Sequence, residues 1–230
     1  MQLSTRLYTM AKFVPKNSKV VDVGTDHGYI PIYLTQNHIA MSCIASDINK
    51  GPLENAAKHM TKYNINNIEL RQGNGLQKIT LEDKVDTIII GGMGGYLIID
   101  ILRNAEQIVK GVGHLILQPQ NNIAEVRKCV HAMGYKIKDE EFITDEGKYY
   151  TVIYAVPGNE IYNHEYEYVY GKITLDKQNV TFRQWMAHKA GTFKQIYKNL
   201  AQNDSESSQA RKVELDKEYQ IYEEALGCIH

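Results

Sequence analysis

The run Asp22-Val23-Gly24-Thr25-Asp26-His27-Gly28-Tyr29 brings two carboxylates and two glycines into one short stretch. Glycine lets a backbone turn tightly and present its amides to a ligand without a Cβ in the way. The spacing from Gly24 is G-x-x-x-G. A pyrophosphate site wants G-x-G-x-x-G ahead of a helix N-terminus, and Asp22 and Asp26 would repel that anion. The same pair would attract a cation such as a sulfonium that also carries an ammonium group. Asp47 follows about twenty residues downstream, where an acid can accept hydrogen bonds from both hydroxyls of a ribose. It would serve equally as the N-cap of the next helix.

Three further clusters follow apolar segments in the same way. Gly73-Asn74-Gly75-Leu76 sets a small amide between glycines. Asn can donate and accept at the N6 and N1 edge of an adenine, although Gly and Asn also make ordinary turns. Gly91-Gly92-Met93-Gly94-Gly95 carries a large entropic cost from the unfolded state. With no side chains to pack, its glycines predict close backbone approach to a planar substrate. Gln118-Pro119-Gln120 adds two more amides. Taken together the clusters predict one site for a nucleoside-type cofactor.

The elements that must position these residues are short and apolar. Val20–Gly24, Ser42–Asp47, Ile68–Gln72, Asp86–Gly91 and His114–Gln118 predict strands, with helical spacing over 3–14, 51–63, 96–110 and 121–133. That alternation predicts a parallel sheet covered on both faces. Tyr135–Phe142 and Tyr149–Val156 flank Asp145-Glu146-Gly147-Lys148 and predict an antiparallel pair that finishes the sheet. Pro157-Gly158-Asn159 breaks the pattern, giving a catalytic domain over 1–158 and a second domain over 159–230. In the latter, Phe182, Trp185, Met186, Ala190, Phe193, Tyr197 and Leu200, then Leu215, Tyr219, Tyr222 and Leu226, recur at threes and fours. Two helices joined by a polar turn over Gln202–Ser208 should fold back as an antiparallel, coiled-coil-like hairpin, with Trp185 and Phe193 in its core.

Composition narrows the class. Hydrophobic residues make up 43% and charged residues 23% of 230, and the net charge is −1. No apolar run approaches the roughly 20 residues of a membrane helix, and the first residues have no apolar secretory core. Cys43, Cys129 and Cys228 match neither a disulfide framework nor a metal-ligand spacing. The expectation is a cytoplasmic protein without a metal and without a membrane partner. Basic residues cluster from Met1 to Val21 (Arg6, Lys12, Lys16, Lys19) and from Lys177 to Asn203 (Lys177, Arg183, Lys189, Lys194, Lys198), with no acid in either stretch. Such tracts can form a positive face on a neutral protein. The second hairpin helix is acid-rich, so part of that charge could be matched across the pair.

Val20 to Gly28 (VVDVGTDHG), Asp47-Ile48, Gly73–Leu76 and Ile90–Gly95 resemble the motif series of class I methyltransferases, which have a Rossmann-like α/β fold. More narrowly, the run Asp22 to Pro31, the Gly92-Met93-Gly94-Gly95 segment and the appended hairpin resemble the bacterial tRNA (adenine-N1)-methyltransferase family acting on the D-arm adenine at position 22. The resemblance covers nearly the whole chain. It implies S-adenosyl-L-methionine as cofactor, a seven-stranded sheet with an antiparallel terminal hairpin, and a C-terminal coiled-coil domain. By position it implies Asp22, Gly24 and His27 at the methionine end, Asp47 at the ribose and Asn74 at the adenine. Asp26, Gly28, Ile48, Gly73, Gly75, Gly91, Gly92 and Met93 complete the implied cofactor-binding set. Many class I enzymes carry Asp where Asn74 stands. Amino-directed adenine methyltransferases often carry N-P-P-Y where this chain has Gly92–Gly95, which argues against N6 chemistry.

Adenine N1 carries an unshared pair and needs no deprotonation before methylation, and its product is cationic. Asp26 is the candidate to hold the base or stabilise that charge, with Tyr29 stacking on it. Asp26 could instead bind cofactor or cap a helix. N1 lies on the Watson–Crick edge, so the adenine must be exposed first. A basic track for tRNA phosphates is expected from Arg6, Lys12 and Lys16 with Lys189, Lys194 and Lys198, on a protein expected to be monomeric. A nicotinamide oxidoreductase, a non-catalytic RNA-binding protein and a small-molecule methyltransferase are the competing readings.

Overall fold

In the computed structural model the apolar segments form one seven-stranded sheet, in the order β3-β2-β1-β4-β5-β7-β6. The strands are β1 (Ser18–Val23), β2 (Ala40–Asp47), β3 (Ile68–Gln72), β4 (Thr87–Met93), β5 (His114–Pro119), β6 (Tyr135–Asp145) and β7 (Lys148–Pro157). The first five pair in parallel, and β7 runs antiparallel to both β5 and β6. Ile88, Ile89, Ile90, Leu115, Ile116 and Leu117 are wholly buried, which is what central strands covered on both faces require. The β6–β7 hairpin closes on two residues of positive φ, Glu146 at 49° and Gly147 at 75°. Both match the right-handed strand twist.

The covering helices are α1 (Thr5–Lys12), α2 (Tyr29–Gln36), α3 (Lys50–Lys62), α4 (Gly95–Asn104), α5 (Glu106–Lys110) and α6 (Ile123–Ala132). Helix α1 starts where the Ser4 hydroxyl accepts from the Leu7 amide, a side-chain N-cap, and buries Met10 and Ala11. The predicted helix over 96–110 breaks at Ala105 into α4 and α5. Helix α2 was not anticipated. Its residues Ile30, Pro31, Ile32, Leu34 and Thr35 are all buried, so it has no polar stripe to betray a helical period, and Pro31 falls in its first turn, where proline is tolerated.

The structure describes residues 1–200 and 205–229, in two compact units, Met1–Ile161 and Tyr162–His230. The second contains α7 (Lys172–Lys177), α8 (Val180–Leu200) and α9 (Glu206–Leu226). The Tyr222 hydroxyl donates to Met186 O at 3.0 Å and that of Tyr197 to Asp216 Oδ1 at 2.7 Å. Partner numbers fall on α9 as they rise on α8, so these two helices run antiparallel. Phe193 packs on Tyr219 and Tyr222, and Trp185 on Tyr170 and Phe182. The first part of the predicted polar turn lies outside the described residues. From Ser205 onward the chain is already the cap of α9, with Ser205 Oγ accepting from Ser208 N. Among the described residues no helix is long and apolar enough to cross a membrane, and no group of three or more His, Cys, Asp or Glu could hold a metal ion.

Candidate active site

The strand order reverses between β1 and β4, and in open α/β sheets ligands bind at such a point beyond the carboxyl ends of the strands. A cavity of about 390 Å³ lies there, between the β1 loop (Asp22, Gly24, Thr25, Asp26), the β4 tip (Gly91, Gly92, Met93) and α1. Its size falls within the roughly 300–1,000 Å³ usual for small-molecule sites.

Asp22 stands on its floor. The residue is 4% exposed, and Oδ2 accepts from the Thr25 hydroxyl at 2.6 Å. Burial raises its pKa to about 6, the Thr25 hydrogen bond pulls it back, and the neighbouring charges of Asp47 and Asp26 push it further up. Among the described residues no cation pairs with it to pull the carboxyl back down. Gly24, at φ 71°, has no room for a side chain, because a Cβ there would lie 2.3 Å from Met93 Cε.

The outer half of the loop differs. Asp26 has a side chain 77% exposed and sits 3.2 Å from His27 Nε2. Tyr29, at the start of α2, lines the cavity wall. His27 and Gly28 do not. The His27 ring turns toward Tyr29 and His59, and Gly28 makes room for α3, since its Cβ would meet Ala56 Cβ at 2.9 Å.

The β4 tip corrects the reading of its glycine run. The strand continues through Gly91 and Gly92 to Met93, with a bulge against β5 at this point. Two of the glycines serve packing within the protein. A Cβ at Gly91 would meet Met10 Cε at 2.3 Å, and one at Gly95 would meet Asn121 O at 2.5 Å. Only Gly92, at φ 75°, has its Cβ position facing Arg6 Nη1, at 3.4 Å. The Gly95 amide that opens α4 donates to Asn121 Oδ1, a cap supplied from a distant loop.

Arg6, expected among the cations for tRNA phosphates near the active face, lines the cavity itself. Nη1 donates to Gln118 Oε1 at 2.9 Å, and the guanidinium lies 5.6 Å from the Tyr150 ring centroid. Gln118 is wholly buried and its Oε1 also accepts from the Gly92 amide, so one side chain ties α1 to the β4 bulge. Its amide was legible as a rim group, but its burial and its hold on Arg6 were not. Thr25 was missed as well, although a hydroxyl three residues after Asp22 was the available signal.

The other strand tips lie outside the enclosed cavity. Asp47 is buried, and its Oδ1 accepts from the Asn49 amide at 2.8 Å; Asn49, not Asp47, is the N-cap of α3, so the N-cap reading of Asp47 does not hold. Oδ2 makes no hydrogen bond among the described residues. The Asp47 carbonyl accepts from Gly73 N, which joins the β2 and β3 tips. Ile48 and Asn74 are exposed beside them, and Gly75, at φ 57°, would drive a Cβ to 2.9 Å from Ile101 Cγ1. Of the remaining cations, Lys12, Lys16, Lys194 and Lys198 are exposed. Lys189 is turned inward, its ammonium 5.3–5.9 Å from the Tyr170, Trp185 and Phe193 ring centroids. Burial there pulls its pKa down, so it belongs to the aromatic core of the second unit and not to an outward basic row.

Comparison with known proteins agrees with this geometry. A family described as a methyltransferase domain matches residues 3–153. The tRNA (adenine(22)-N(1))-methyltransferase of Bacillus subtilis is 31% identical over 240 residues, covering 98% of both chains. The crystal structure of that species' M1A22 tRNA methyltransferase TrmK superposes with a TM-score of 0.86 over 97% of this chain and 98% of its own, at 31% identity. M. capricolum TrmK, solved with S-adenosyl-homocysteine, gives 0.86 over the whole of both chains at 26% identity. This chain belongs to the tRNA (adenine(22)-N1)-methyltransferase family of class I methyltransferases.

Proposed function

We propose that the protein transfers a methyl group from S-adenosyl-L-methionine to N1 of the adenine at position 22 of tRNA, in the cytoplasm. The observation that carries this reading is Asp22, a buried carboxylate facing a cavity at the topological switch with no cation among the described residues to meet it. When bound, S-adenosyl-L-methionine supplies an electrophilic methyl group on a positively charged sulfur. Asp22 attracts that cationic end, and Thr25 fixes the carboxylate's orientation. The second oxygen of Asp47 takes the ribose, and Asn74 with the amide of Gly75 takes the adenine edge on the open shelf. Ile48 covers the ring, and Gly24, Gly91, Gly92 and Met93 shape the wall between cofactor and substrate base.

Because N1 has its own electron pair, no side chain has to remove a proton. The chain's work is alignment and tolerance of the positive charge left on the base. Asp26, at the mouth, faces that charge, and Tyr29 stacks against the base. Arg6 carries a fixed positive charge, so its place is against an acceptor such as a phosphate oxygen of the extruded nucleotide, with Gln118 holding it there. Lys12, Lys16, Lys194 and Lys198 supply exposed cations for the tRNA backbone. The three free cysteines, two of them buried, suit a reducing compartment.

Incubation with isotopically labelled cofactor and total tRNA, followed by mass spectrometry of the nucleosides, tests the reading. Label is expected in 1-methyladenosine at position 22. Label in N6-methyladenosine, or none in tRNA, overturns it.

A further inference from the structure

Three aromatic rings meet at the rim of the cavity. His27 and Tyr29 come from the β1 loop and the first residue of α2, and His59 comes from α3. Their centroids are 5.5 Å (His27–Tyr29), 5.3 Å (Tyr29–His59) and 6.0 Å (His27–His59) apart, with interplanar angles of 25°, 24° and 33°. A single column of stacked rings would put its two ends at roughly twice the neighbour spacing. Here all three separations are alike, so the rings are tiled into one shallow, staggered surface. All three residues are half-buried. His59 Nδ1 lies 3.0 Å from His27 O and donates to it, which fixes the tiling. His27 stands in the left-handed region at φ 62°, where histidine is enriched among residues other than glycine.

We propose that this surface is a second nucleobase subsite, which stacks the base of a nucleotide adjoining the target adenine. The inference rests on the proposed tRNA activity and deepens it. Exposing N1 means extruding the adenine from its stack, which strips its neighbours of one stacking partner each. Tyr29 belongs both to the cavity wall and to the tiled surface, so the surface begins where the target base enters. Every base has a π-face, and stacking on aromatic side chains is therefore tolerant of sequence.

His59 does not line the cavity and provides the handle. His59→Phe keeps a ring and loses the hydrogen bond, whereas His59→Asn keeps a donor and loses the ring. The expected result for His59→Ala is a KM for tRNA raised about tenfold, in line with the stacking contribution of one base. Its kcat and its calorimetric affinity for S-adenosyl-L-methionine should stay near wild type. His59→Phe should return KM to within about twofold and His59→Asn should not. A tRNA with an abasic nucleotide on one side of the target should cost the wild type a similar factor and cost His59→Ala nothing further. Unchanged KM in His59→Ala, or rescue by His59→Asn and not by His59→Phe, overturns the subsite and leaves His59 as an anchor of the loop. Loss of cofactor affinity with intact tRNA KM overturns it too. Wild-type protein that methylates no tRNA at all would instead overturn the parent reading.

Discussion

Asp22 and Asp26 lie within one short run at the tip of β1, and the fold gives them opposite surroundings. Asp22 still belongs to a central strand, so the sheet that buries its neighbours also takes the carboxylate out of water. Asp26 lies past the glycine turn, on a one-turn 3₁₀ segment spanning Asp26–Gly28, with most of its side chain in solvent. A cation brought to the inner carboxylate relieves the desolvation cost that burial imposes on it. One brought to the outer carboxylate trades water for a screened pair. A short step along the chain therefore separates a binding group from a rim group.

The sharpest way to break this comparison is Asp22→Asn. Removing the buried countercharge should weaken S-adenosyl-L-methionine binding about 100-fold, or roughly 3 kcal/mol, and turnover at low cofactor should fall with it. Stability should move the other way. The carboxyl titrates near 6 in the fold against an ordinary 3.8, so ionising it at pH 7 costs the empty protein about 3 kcal/mol at most. The Asn variant should thus melt no lower than wild type without cofactor. Calorimetry and thermal melts read the two effects separately, and equal cofactor affinity in the two proteins would remove Asp22 from the binding role.

The second effect is on pH. Asp22 is raised in the folded state, so its contribution to the stability of the empty protein is full below pH 3.8 and is lost as pH rises through about 6. Binding a cation has the opposite sign, because it requires the ionised form. Cofactor affinity should rise about tenfold between pH 5 and pH 7 and level off above, and Asp22→Asn should flatten that profile. A wild-type profile already flat over this range would mean that the cation is held elsewhere.

The sequence exposed the frame of this site better than its walls. Runs such as Ile88-Ile89-Ile90 and Leu115-Ile116-Leu117 can only be buried, and the polar residues after them had to meet at one rim, so Asp22, Gly24, Asp26 and Gly91–Met93 were legible together. Long-range packing was not. Gly91 and Gly95 also make room for Met10 and the Asn121 carbonyl, partners distant in sequence that no local pattern announces. Arg6 and Lys189 read as surface cations because a helical pattern does not say that Gln118 waits for one, or that Tyr170, Trp185 and Phe193 surround the other. Arg127 is the extreme case. It is 1% exposed and bonded to a wholly buried Glu140 at 2.6 Å, a pairing between α6 and β6 that no local pattern announces.

The smallest expected effect belongs to the outer carboxylate. Asp26→Ala removes an exposed group whose one charged-type contact among the described residues is with the adjacent His27 ring, so folding stability should change by no more than about 0.5 kcal/mol. Screening at the rim should leave cofactor affinity within about twofold. If Asp26 faces the charge that develops on the base, kcat/KM for tRNA should still fall about three- to tenfold, the scale of one partly solvated charge interaction. Single-turnover rates at saturating cofactor separate that loss from binding. Turnover and affinity both at wild-type level would strip Asp26 of a catalytic role. A loss of cofactor affinity as deep as that of Asp22→Asn would show that the two carboxylates act as one site, and the distinction between floor and rim would go with it.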